Sequence, residues 1–428
     1  MVRIPHASGT TCGWLSNMVG EKHRSANVRS GAVLVKITAI LIAFALTSDS
    51  FEWDQAAAQE KTAGERAAVK FPELDARSWA LVDADTGVYL VGKNPDERLP
   101  IASTTNVMTA LLALEDGANL NQEVAISDQA ERFVGFTYSN IGLIEGERLS
   151  VRELLEAALI PSGTEAVYAL AEHLGGGSVD RFVEEMNQKA DSMGLKNTHF
   201  ENPAGIDARG HYSSARDLAT MARAAMEHPL FADIVDTEEA KISTQNRQIE
   251  VFNTNNLLYT YEQANGVKTG TSPAAGPCLV ASATDGDESY IAVVLDARGD
   301  QYRFEAAREA LEFGFHEYEH QALVQKGKVY EELQLPFRRN ESVGLVAAKG
   351  VLGPAGPGLE VERRVTAKGA PPAAKAGQKL GTVEVLVDGK GVGSSPLVTK
   401  RGYEGASLWQ KIRYWTSGAA KSVSGLSA

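Results

Sequence analysis

From Phe71 onward, apolar positions along the chain follow two periods in turn. Alternation comes first. Ser78-Trp79-Ala80-Leu81-Val82-Asp83 reads as a strand, Asp85-Thr86-Gly87 as a turn, and Val88-Tyr89-Leu90-Val91 as the returning strand. Helical spacing follows Pro100: Val107, Met108, Leu111 and Leu112 share one face of 103–114, with Ser103 at the N-cap position. Apolar stripes over 151–159, 165–174, 180–193 and 215–226 predict four more helices. Short apolar runs at 266–270, 277–283 and 289–296 predict strands, the last two joined across Asp285-Gly286, a hairpin signal. A helix over 303–315 puts Phe304, Ala307, Leu311 and Phe315 on its inner side. The order strands, helices, strands, helix predicts an α+β fold: an antiparallel sheet, assembled from both ends of the domain and flanked by helices.

The pattern shifts near His320. Strands are predicted at 329–335, 342–347, 359–365 and 382–387, separated or closed by Gly353-Pro354-Ala355-Gly356-Pro357-Gly358 and Asp388-Gly389. This is a small C-terminal all-β domain without a nucleophile–base pair, expected to serve as a spacer or docking module. The expected organisation is a targeting segment and tether over 1–67, the α+β domain over 68–320, the β domain over 321–402 and a basic-aromatic tail over 403–428.

The two ends carry their own signals. Lys22, Arg24, Arg29 and Lys36 lead into the apolar run 37–46, which is too short to span a bilayer comfortably. It suits an export signal, with Ala56-Ala57-Ala58 as a small-residue cleavage site; an uncleaved anchor through 32–46 is the alternative. The chain is therefore expected to be extracytoplasmic. In the tail, Trp409, Ile412 and Trp415 fall near one helical face with Lys411 and Arg413 opposite. That pattern fits an interfacial membrane helix or a helix packed on the β domain.

Composition then removes several classes of function. The 428 residues carry a net charge of -13, which argues against nucleic acid as a partner. Of two cysteines, Cys12 precedes the export signal, so the processed chain keeps only Cys278 and makes neither an internal disulfide nor a Cys-based zinc site. Eight histidines show no metal-ligand spacing, and His173 and His199 read as helix-surface and turn residues. Neither a metal nor a cofactor is expected.

Three short motifs carry the chemistry: Ile101-Ala102-Ser103-Thr104-Thr105-Asn106, Ile160-Pro161-Ser162-Gly163-Thr164-Glu165, and Gly266-Val267-Lys268-Thr269-Gly270-Thr271. A serine opening a helix lies beside free backbone N–H groups that stabilise developing negative charge. A second serine on a loop can relay protons. Lys268 and Thr269 on an edge strand supply a cation and a hydroxyl to grip a carboxylate, and Gly270 lets a ligand lie close. Glu165 reads as a surface residue at a helix start, with a pocket carboxylate as the alternative.

With these motifs in order, the chain resembles the serine-type D-Ala-D-Ala carboxypeptidases, the low-molecular-mass penicillin-binding proteins. The likeness runs over 71–318 and includes 144–151, 186–190, 198–205 and 253–258. It implies an acyl-enzyme on Ser103, assistance from Ser162 and Lys268, and a carboxylate grip from Lys268, Thr269 and Thr271. It also implies an oxyanion hole from the N–H groups of Ser103 and Thr271, and as partners peptidoglycan stem peptides ending in D-Ala-D-Ala and β-lactams.

Two positions depart from the family pattern. Its Ser-x-x-Lys ends here in Asn106, and its Ser-x-Asn ends in Thr164. An amide cannot take a proton from Ser103; the expectation is that Asn106 holds Ser103 by a hydrogen bond, one helical turn away. Thr164 offers a hydroxyl but no amide to a substrate peptide. Two functions stay open: an impaired carboxypeptidase, with Lys268 acting through Ser162 as substitute base, or a non-catalytic peptidoglycan-binding or wall-scaffolding protein. A β-lactamase-like role has no dedicated deacylating carboxylate to support it.

Overall fold

The computed structural model describes residues 57–62 and 73–424, apart from 116, 118 and 136. The basic lead and apolar run of the expected export signal therefore lie outside the described residues, while Ala57 and Ala58 of its expected cleavage site fall within them. A five-stranded antiparallel sheet forms the centre, in the order Tyr89–Lys93, Ala76–Asp83, Glu288–Ala297, Gly276–Asp285, Ala264–Ser272. A strand from the start of the domain pairs with one from its end, Leu81 opposite Ala292, and that end strand pairs in turn with its hairpin partner, Val293 opposite Val280. The Lys-Thr-Gly segment forms one edge of this sheet.

Helices Asn106–Glu115, Val151–Leu159, Thr164–Leu174, Val179–Ser192 and Ala215–Met226 bury their apolar stripes in one core with a face of the sheet. Ser150 and Glu153 form a reciprocal capping box that fixes where the second of these helices starts. The opposite sheet face packs on the helix Tyr302–Glu317, and that core continues into the β domain through Tyr318, Leu323 and Leu345.

The β domain is built on a six-stranded sheet in the order Ala57–Thr62, Val361–Ala367, Lys379–Val387, Lys390–Thr399, Ser342–Ala347, Val329–Gln334. Residues 57–62, expected as tether, are a strand here: the edge at Val361–Ala367 offers a row of backbone groups, and Ala58 pairs opposite Val365. Val351–Ala355 is also a strand, paired with Glu319–Val324, although Gly353 and Pro354 read as strand breakers. The tail is helical over Leu408–Ser424. Among the described residues, no helix is long and apolar enough to cross a membrane.

Candidate active site

Ser103 does not cap a helix. It lies inside a 3-10 turn, Ala102–Thr105, that leads into the helix from Asn106. Ala102 takes φ +47°, which a side chain disfavours, so the turn must be held from outside. Thr104 Oγ1 donates to Ile101 O (2.7 Å) and Thr105 Oγ1 to Ala102 O (2.8 Å). His211, buried, stands 2.9 Å from Thr105 Oγ1 through Nε2, while its Nδ1 accepts from Glu201 N (3.1 Å). That acceptance puts the proton on Nε2, so the chain of donors runs His211 to Thr105 to Ala102 O. Burial pushes the His211 imidazole down to about 4, which keeps it neutral. Asn202 Oδ1 accepts from Gly205 N (2.8 Å) and folds 202–205 so that a Cβ on Gly205 would lie 1.8 Å from Ala102 O. Only glycine fits there.

The three motifs close into a ring. Asn106 Nδ2 donates to Ala158 O (3.0 Å), tying the first motif to the helix that ends before the second. Thr254 N donates to Ile160 O (3.2 Å) and Thr254 Oγ1 pairs with Thr269 Oγ1 (2.6 Å), tying the second to the third. Gly270 then abuts the first: a Cβ on it would stand 2.8 Å from Ile101 O and 3.1 Å from Ser103 N.

Within that ring, Ser103 is partly exposed while Asn106, Ser162, Thr164, Lys268 and Thr269 are buried. Ser162 adopts φ +66° and its Oγ is buried without a hydrogen-bond partner. Lys268 Nζ donates to Thr269 O (3.0 Å). Burial, with the Arg303 guanidinium nearby, pushes the Lys268 amine down to about 7. Arg303 Nη1 donates to Gly270 O (3.1 Å) and to Thr271 Oγ1 (2.6 Å), which leaves the Thr271 hydroxyl proton free for a ligand. Burial holds Arg303 below its ordinary value, and its Nε lacks a partner.

Three further expectations are corrected by these bonds. Asn106 does not hold Ser103: its NH₂ is taken by Ala158 O, and its Oδ1 is buried without a partner. The Lys268–Ser162 relay is not formed, because the amine turns to Thr269 O. Glu165 is not a surface residue: its Oε1 accepts from Ile141 N (2.7 Å) and Leu143 N (3.4 Å), and it is fully buried. Sequence reasoning gave no role to Thr254, Arg303 or His211; Thr254 lay inside a segment of family likeness, and the other two gave no signal. Cys278 is buried and its thiol is pushed up to about 12, an inert core residue.

Residues 65–299 match the family model for D-alanyl-D-alanine carboxypeptidase, and 318–404 match the penicillin-binding protein 5 C-terminal domain. The chain is 34% identical to D-alanyl-D-alanine carboxypeptidase DacF of Bacillus subtilis over 76% of its own length and 85% of that protein's. It is 32% identical to Escherichia coli DacC over 80% and 88%. Penicillin-binding protein 5 of Haemophilus influenzae superposes with a TM-score of 0.63 at 30% identity, covering 78% of this chain and 99% of that one. The Streptomyces K15 DD-transpeptidase superposes at 0.55 with 35% identity, over 58% and 99%.

Proposed function

Because the chain belongs to the D-alanyl-D-alanine carboxypeptidase family, we propose that its cleft takes peptidoglycan stem peptides ending in D-Ala-D-Ala, and that acyl transfer to Ser103 is impaired. The ligand carboxylate would meet Lys268, Thr269 and Thr271 along the edge strand, with Gly270 allowing close approach. Ser103 Oγ would attack the penultimate D-Ala carbonyl, the C–N bond would break with D-alanine as the leaving group, and water would later hydrolyse the ester to release the shortened peptide. That sequence needs the serine proton carried to the departing amine. Asn106 cannot carry it, and its one bonded group is committed to Ala158 O. This is the observation behind the impairment. A missing positioned base removes about 10²–10⁴ in rate, or about 3–5 kcal/mol of barrier. Thr164 compounds it by withdrawing a side-chain amide from the peptide.

Lys268 favours a second reading, in which some turnover survives. An amine with a value of about 7 is half unprotonated at neutral pH, so it can accept a proton there. Its turn toward Thr269 O and the unpartnered Ser162 Oγ mean that a side-chain shift must precede such a relay. Intact-mass spectrometry after exposure to a penicillin separates the two readings. A rapid stoichiometric adduct on Ser103 supports the substitute base; no adduct within minutes supports impairment.

An exported, extracytoplasmic setting fits this substrate and the family. Membrane contact through the N-terminal segment or the tail belongs to the same proposal. Leu408, Trp409 and Trp415 are 74%, 79% and 67% exposed, while Tyr414 packs on Phe337 at 5.8 Å, so the tail offers one apolar side outward. Deleting 408–428 is expected to abolish co-sedimentation with anionic phospholipid vesicles; unchanged binding refutes the tail's role.

A further inference from the structure

We propose that Glu165 is a positioning residue whose carboxyl sets where the 139–143 loop stands against the second motif. The loop is folded around this group. Ile141 N and Leu143 N both donate to Oε1, and Gly142 between them takes φ +74°, which turns both N–H groups toward the one acceptor oxygen. The neighbouring residue completes the tie, since Thr164 N donates to Ser139 O (2.8 Å). Residues 164 and 165 thus grip opposite ends of a short loop that borders Ser162-Gly163-Thr164. The second carboxyl oxygen, Oε2, is buried without a partner and faces that turn: a Cβ on Gly163 would lie 3.5 Å from it.

Charged groups meet this loop elsewhere. Arg247 donates to Gly142 O and pairs with Glu147 (2.8 Å), Glu147 Oε2 accepts from Ile144 N (3.0 Å), and Glu131 accepts from Glu145 N (3.2 Å). The Glu165 carboxyl itself meets backbone N–H groups. Burial raises it above the ordinary carboxylate value, and the loop N–H groups oppose that rise without cancelling it. The sign follows from linkage. The closed loop holds the proton more tightly than an open, solvated one, so protonation favours closure and rising pH loosens the loop above 4.5. Any effect on ligands rests on the peptide-binding function proposed above; the strut does not.

Hydrogen-exchange mass spectrometry on the ligand-free full chain tests it. Glu165→Ala is expected to lower protection of 137–146 at least tenfold, leaving 151–159 unchanged. Glu165→Gln, which resembles the protonated acid, is expected to keep that protection. In the native chain, protection of 137–146, corrected for intrinsic exchange, falls as pH rises from 4.5; in Glu165→Gln it stays flat. An unaffected loop in Glu165→Ala, or a Glu165→Gln profile matching the native one, overturns the proposal. If Glu165→Ala does not fold, the native and Glu165→Gln profiles decide alone. No ligand enters the assay, so a failure to bind D-Ala-D-Ala peptides would count against the proposed function and not against Glu165.

Discussion

Replacing Asn106 by lysine should restore what the first motif lacks. Asn106 is 1% exposed, uses its NH₂ on Ala158 O at 3.0 Å, and leaves Oδ1 without a partner. An unpaired buried acceptor costs about 1–3 kcal/mol, so this side chain is poorly suited to its site as it stands. A lysine amine can donate to the same carbonyl, which recovers about 1 kcal/mol, and removes the orphan. Against this stands one added heavy atom in a close-packed core, worth about 1–3 kcal/mol. The two sides nearly offset, so Asn106→Lys is expected to fold with a stability within about 2 kcal/mol of the native chain. Burial would hold the new amine low, as it does Lys268, and a neutral amine one turn from Ser103 is a base. Acylation by a fluorescent penicillin should then rise by about 10²–10⁴. The assay is the second-order labelling rate, with Ser103→Ala as the blank and circular dichroism as the folding check. A folded Asn106→Lys protein labelled less than tenfold faster refutes the reasoning, because the missing base would not be what limits Ser103.

Other consequences follow from the same geometry. Gly270→Ala should weaken peptide binding at least tenfold and lower stability by about 1–3 kcal/mol in urea unfolding, since its methyl would meet Ile101 O at 2.8 Å. His211 is neutral in the fold down to about 4 but takes a proton near 6.5 when unfolded, so native stability should fall as pH drops through that window, by up to about 3 kcal/mol; His211→Gln should lose this slope, and a retained slope would assign it elsewhere. Lys268 acts with the same sign at high pH. The unfolded chain keeps its proton to 10.5 and the native one only to about 7, so stability should rise with pH between them while carboxylate affinity falls; calorimetry and denaturation of Lys268→Met, with neither trend, check both.

Legibility in the sequence divided along physical lines. The helices over 151–159 and 215–226 were readable to the residue, because each buries one stripe and carries a serine cap. The strand Lys390–Thr399 was not, since Gly391, Gly393, Ser394, Ser395 and Pro396 have low strand propensity and are held by neighbours on both sides. At the site, residue types were legible and their bonding was not. The 3-10 turn at Ser103 depends on Gly205 and His211, a hundred residues away in sequence, and an alanine at positive φ leaves no mark. Glu165 looked solvated because an acid at a helix start usually is; the loop that buries it comes from more than twenty residues earlier.

The central claim is a cleft that grips a D-Ala-D-Ala terminus without the base needed to cut it at the family's pace. The measurement that tests it most directly follows one sample of native protein with diacetyl-Lys-D-Ala-D-Ala, recording heat of binding and released D-alanine together. Saturable binding, lost in Lys268→Met, with release at least a hundredfold slower than in Asn106→Lys, is the predicted result. Release as fast in the native chain as in Asn106→Lys, or no binding at all, would contradict it.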